Sequence, residues 1–233
     1  MKSGWDLTSG SDAVGAAWAA ADQHWIPEIG GPPMQRYLRA ASTQLIEQLS
    51  GRINPVDLLY PSGSEETVAD MYVHNRMSRY LNACICAFVT RFADQNGPVR
   101  ILEIGAGTCA TSIQVMEALG SRSYHYQVTD VSPFFVTKSQ ARFEDDPRVD
   151  VARLDIDQPI WEQGFSENAF DLIIAVGVLE NAVDIGRSLE AVRQLAAPGG
   201  YFLFTEPVRE EAWILASQGF MMTLPGDILR TDQ

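Results

Sequence analysis

The chain reads as an α/β protein whose sheet follows a helical segment, and two observations predict this. From residue 99 onward, short apolar runs (VRILEIG, YHYQVTD, VDVARLDID, FDLIIAVGVL and GYFLFTEP) recur at fairly regular intervals, with helix-length segments between most of them. Strands alternating with helices pair in parallel through right-handed crossovers, which predicts a three-layer sheet with helices on both faces. The runs at 101–104 and 172–176 are also nearly all apolar, as strands buried on both sides should be.

Before the sheet the pattern is helical. DAVGAAWAAADQHW is alanine-rich, and RYLRAASTQLIEQL carries apolar residues at helical spacing until Gly51. Pro27, the GGPP run at 30–33, Pro55 and Pro61 divide this half into short helices. SGSE at 62–65 has capping-box spacing, so a further helix is expected from Ser62, running or kinking into MYVHNRMSRYLNACICAFVTRF. QNGP at 95–98 is a turn signal. It divides the chain into a helical part, 1–98, and a sheet part, 99–233.

Bulk properties narrow the function. Apolar content of 46% and charged content of 20% suit a globular protein rather than a disordered one. The net charge of −13, with 20 acidic residues against 10 basic ones in 99–233, argues against nucleic acid as a partner, because phosphate binding needs a basic patch. No apolar stretch approaches the ~18 residues of a membrane span. MKSGWDLTSG lacks the apolar centre of a secretory signal. Cys84, Cys86 and Cys109 have no metal-like spacing, so no metal site is expected. Reduced thiols in a cytoplasmic protein are the simplest reading.

The most informative stretch is ILEIGAGTCATS at 101–112. In parallel sheets the ligand sits beyond the carboxyl ends of the strands, near the first strand–helix turn. Gly105 and Gly107 let that turn tighten and bring main-chain amides close to a ligand. Position 109, where Cys109 stands, is read as already inside the helix, where glycine is helpful but not required. Glu103 lies inside the strand, where an acid is costly unless it serves the turn or a cationic ligand. Asp130 ends VTD, placed to accept ribose hydroxyls, and would suit a nicotinamide cofactor equally well. Asp155, in RLDID, adds a third acid at the end of the third strand, placed to meet an adenine edge.

This ordered set resembles the first motifs of class I S-adenosylmethionine-dependent methyltransferases. A sulfonium cofactor carries no phosphate, so three surrounding acids are compatible with it. A narrower resemblance rests on LLYPSGSEETVADMYVHNRMSRYLN, VTDVSPFF and FDLIIAVGVLENAVDI over roughly residues 56–207. These are similar to the methyltransferase domains embedded in polyketide synthases and nonribosomal peptide synthetases. The resemblance implies a Rossmann-like sheet and a helical lid over the cofactor bearing Tyr72, Asn75, Arg79, Tyr80 and Asn82. It also implies an acyl or aminoacyl substrate tethered to a carrier protein. Carbon-methylating members use a histidine after the fourth strand and a glutamate at the end of the fifth. The glutamate matches as Glu206, but Glu180 stands where the histidine is expected. The base is then expected to be Glu206 or Glu180, with His74 on the lid as a substitute. The family's closing antiparallel strand pair is expected to be missing after EEAWILASQGFMM, leaving Phe220, Met221 and Met222 as candidates for an apolar surface. The expected activity is methyl transfer to carbon. Epimerisation of the tethered residue and a non-catalytic scaffold are the alternatives, and methyl transfer to oxygen or nitrogen stays open. A carrier is commonly acidic, so docking is expected on Arg36, Arg39, Arg52, Arg76, Arg79 and Arg91.

Overall fold

The computed structural model describes residues 11–206 together with Val208, Ile214 and Ser217. These fall into two compact units that divide between Ser78 and Arg79, inside a helix and ahead of the turn at 95–98. The expectations placed on 210–233 concern residues outside the described ones, apart from Ile214 and Ser217.

The first unit is helical. Its elements are α1 (Ser11–His24), α2 (Pro32–Thr43), α3 (Leu45–Leu49), α4 (Pro55–Leu59), a 3₁₀ turn (Pro61–Gly63), α5 (Glu66–Ala69) and a π turn (Asp70–His74). Proline opens α2 and α4, where its missing N–H costs nothing. RYLRAASTQLIEQL is not one helix: the chain leaves helical geometry at Gln44, so α2 and α3 are separate. The helix expected from Ser62 starts instead at Glu66, because Ser62 takes a left-handed conformation (φ 54°) in the 3₁₀ turn; Ser64 Oγ accepts the Glu66 N–H. Gly31, at the N-cap of α2, has no side chain to offer. The buried Asp70 replaces one, accepting the Met34 N–H at 3.2 Å, and a Cβ on Gly31 would lie 2.5 Å from its Oδ1. Met34, Tyr37, Leu59, Val68 and Met71 form the core of this unit.

Helix α6 (Arg76–Asn96) carries the chain across the division. Asn82, Ile85, Val89 and Ala93 recur at helical spacing on its buried face.

The second unit is a five-stranded parallel sheet in the order β3-β2-β1-β4-β5, bearing out the α/β expectation. Its strands are β1 (Val99–Ile104), β2 (Tyr124–Asp130), β3 (Val149–Arg153), β4 (Phe170–Val176) and β5 (Ala196–Thr205). Between them lie α7 (Ala110–Leu119), α8 (Pro133–Phe143), a 3₁₀ turn (Ile160–Gln163), a second 3₁₀ turn (Leu179–Asn181) and α9 (Ile185–Leu195). Ile101 and Leu102 point to opposite faces and both are fully buried, each in its own core. One core packs α6 and α7 on the sheet, and the other packs α9. Strand order reverses between β1 and its neighbours β2 and β4, so the loops after these strands open a crevice at their carboxyl ends. No helix among the described residues is long and apolar enough to cross a membrane.

Candidate active site

The crevice begins with the turn after β1. Gly105 (φ 67°), Gly107 (φ 52°) and Cys109 (φ 65°) all take left-handed backbone, alternating along the loop. Cys109 is therefore not inside the helix, as its position suggested; it is the residue before α7, in a conformation that favours glycine. Burial explains why a side chain is kept there. The Cys109 Sγ sits 3.0 Å from Ser139 Oγ inside the core, and burial pushes its thiol pKa up. The glycines also differ from one another. A Cβ on Gly105 would stand 2.5 Å from Val178 Cγ2, so the bare backbone there makes room for the loop after β4. At Gly107 a Cβ would meet nothing within 4 Å, so the loop is open at that point.

Three acids mark the strand ends. Glu103 is only 2% exposed, and both the Ser112 hydroxyl (2.5 Å) and the Tyr126 phenol (2.8 Å) donate to its Oε2. Burial outweighs these two hydrogen bonds and pushes its pKa up to about 7. Asp130 binds the glycine loop directly: Oδ2 accepts the Gly107 N–H and Oδ1 the Ser132 N–H, each at 2.8 Å. A carboxylate has about four acceptor positions, so these two bonds leave capacity for ribose hydroxyls. Asp155 is half-buried beyond β3. Its main chain is clamped by the Gln163 side chain (2.8 and 2.9 Å), and its Oδ1 accepts the Asp157 N–H at 3.0 Å. An open glycine turn with the Asp130 and Asp155 carboxylates beside it fits a cationic nucleoside such as S-adenosylmethionine.

On the other side of β1, the turn after β4 carries Glu180. Glu206, just past β5, reaches this turn with its carboxylate: Oε1 accepts the N–H groups of Val178 (3.0 Å) and Leu179 (2.9 Å), and Oε2 that of Glu180 (3.4 Å). Burial, and then the Glu206 charge, raise the Glu180 pKa. The sheet unit thus brings together Glu103, Gly105, Gly107, Asp130 and Asp155, with Glu180 and Glu206 across the crevice. Tyr72 and His74 lie in the helical unit, both exposed on the π turn. Reading the sequence missed Ser112 and Tyr126 under Glu103, and it missed Asp157. Tyr126 had a signal, since alternation in YHYQVTD turns it inward. Ser112 had none.

Comparison with known proteins decides the family. The methyltransferase domain family matches residues 102–202. Pyochelin synthetase PchF of Pseudomonas aeruginosa is 32% identical over 199 residues, which are 82% of this chain and 11% of that protein. The DszA carbon methyltransferase superposes with a TM-score of 0.81 at 27% identity, covering 90% of this chain and 55% of that one. The CurJ carbon methyltransferase gives 0.77 at 27% identity over the same shares. The chain is a class I, S-adenosylmethionine-dependent methyltransferase domain. It spans about a tenth of the synthetase it matches and about half of the solved carbon methyltransferases. The curated relatives it matches in part include a pyochelin synthetase and the polyketide synthase ThaQ of Burkholderia thailandensis. In this methyltransferase the glycine loop with Glu103, Asp130 and Asp155 is the candidate cofactor side, and the turn bearing Glu180 is the candidate acceptor side.

Proposed function

We propose that this methyltransferase transfers a methyl group to an acidic carbon of an acyl or aminoacyl thioester tethered to a carrier protein, with Glu180 as general base. The observation that carries the assignment is the division of labour between two carboxylates. Glu206 is engaged by three main-chain N–H groups, which makes it the anchor of the turn. Glu180 is the member of the pair whose pKa is raised, so its basicity moves toward neutral pH, where a general base works best. The cofactor supplies an electrophilic methyl group on a sulfonium. Gly105 and Gly107 would pass its amino-acid end, Asp130 would accept its ribose hydroxyls and Asp155 would meet its adenine. The similarity to the DszA and CurJ carbon methyltransferases supports carbon as the acceptor. Glu180 at the histidine position favours one second reading, in which the same base epimerises the tethered α-carbon without methyl transfer.

The test pairs cofactor calorimetry with methyl transfer to a 3-oxoacyl thioester of N-acetylcysteamine. Asp130→Ala should abolish binding of S-adenosylmethionine and S-adenosylhomocysteine. Glu180→Gln should keep S-adenosylhomocysteine affinity within twofold and slow methyl transfer by about 100-fold or more, the usual contribution of a general base. Full activity in Glu180→Gln would overturn the assignment. Inversion of an α-stereocentre in a tethered aminoacyl substrate, with solvent deuterium entering and no methylation, would establish the epimerase reading instead.

A further inference from the structure

Between Asp155 and the 3₁₀ turn at 160–163 lies Asp157, a half-buried carboxylate that the proposed chemistry does not use. Both of its oxygens lie 3.1 Å from the Val183 N–H, and the fully buried Ser188 hydroxyl donates to Oδ1 at 3.1 Å. Its own N–H donates to Asp155 Oδ1 at 3.0 Å. The segment from Val178 to Val183 is therefore held at both ends by carboxylates that come from elsewhere in the chain. Glu206 takes the amides of 178–180, and Asp157 takes that of 183. Between these anchors the Asn181 and Ala182 amides close short turns onto the carbonyls of Val178 and Leu179 (3.0 and 3.1 Å), and Glu180 is the acid of the segment. The lower anchor also joins this turn to Asp155, on the cofactor side.

We infer that Asp157 is a positioning residue that fixes the turn carrying Glu180 and ties it to the Asp155 loop. The inference rests on Glu180 as base. Removing the carboxylate frees the Val183 amide and lets the turn move, while the glycine loop and Asp130, which Asp157 does not touch, keep their geometry. A displacement of about 1 Å at a reacting group can cost on the order of 100-fold in rate.

The experiment is a double-mutant cycle with S-adenosylmethionine as donor and the same N-acetylcysteamine thioester as acceptor. Asp157→Ala should lower kcat by about 100-fold and Asp157→Asn, which keeps an acceptor oxygen, by about 10-fold. Both should keep S-adenosylhomocysteine affinity within twofold. In the Glu180→Gln background, Asp157→Ala should cost almost nothing more, because it acts through Glu180. Amide hydrogen exchange across 178–183 should quicken in Asp157→Ala. An unchanged kcat in Asp157→Ala would overturn the inference, as would an equal loss of S-adenosylhomocysteine affinity. A full additional loss in the double variant would overturn it while leaving Glu180 as base intact. Full activity in Glu180→Gln alone would mark failure of the base assignment itself.

Discussion

Glu103 shows how a residue chosen for a site is stabilised and penalised together. Its carboxyl is buried beneath the glycine loop with two hydroxyl donors, and its pKa still rises to about 7 from the ordinary 4.5. The folded protein thus holds this proton more tightly than the unfolded chain does. The stability linked to the group is fully present below about pH 4.5 and is lost as pH rises through about 7. The shift corresponds to about 3 kcal/mol. Glu103→Gln keeps the shape without the titration, so urea unfolding from pH 5 to 8 should lose most of this pH dependence. A variant whose stability tracks the wild type across that range would contradict this account.

Among the elements, the junction of the π turn with α6 is the most closely specified. Asn75 is buried with extended backbone; its Oδ1 accepts the Ser78 N–H at 2.9 Å, and its Nδ2 donates to the carbonyls of Asp70 and Met71. It both stops the incoming turn and starts the long helix, so the chain kinks there instead of running on. Asn75→Ala should cost about 1–2 kcal/mol, the range for losing an N-cap, with extra loss from the orphaned carbonyls. Thermal unfolding of the variant checks this, and a melting temperature equal to the wild type would refute it.

For the whole molecule, charge is the main constraint on partners. At −13 the chain repels an acidic carrier at long range, so approach depends on cations that are not already neutralised. Arg36 pairs with Glu66 (3.6 Å), Arg39 with Asp22 (2.5 Å) and Arg52 with Glu47 (3.9 Å), which engages three of the six candidate arginines within the helical unit. Arg79 and Arg91 are exposed on α6 in a stretch that has no acid from 76 to 93. We propose that a carrier docks on this stretch, where Arg76 is exposed as well. Arg79→Glu with Arg91→Glu should raise KM at least tenfold for a carrier-bound substrate, while sparing S-adenosylhomocysteine affinity and turnover of the small thioester. Equal loss on both substrates would refute the docking assignment.

Alternation, glycine and turn chemistry are local, and the sequence by itself determined the features they encode: five parallel strands, the crevice at their carboxyl ends, and the strand-end positions of the acids 103, 130 and 155; Glu180 and Glu206 came from the family resemblance instead. Tertiary structure decided what depends on distance through space. Gly105 is bare because Val178, 73 positions later, packs there; Cys109 is left-handed because the loop must close before α7 begins. Glu206 anchors the turn after β4 only because β4 and β5 lie side by side. Asp157 reaches Val183 through a contact that no local pattern encodes. Hydrogen bonds and packing contacts join residues far apart in the chain, and their energies depend on separations of a few ångströms that only the folded sheet sets.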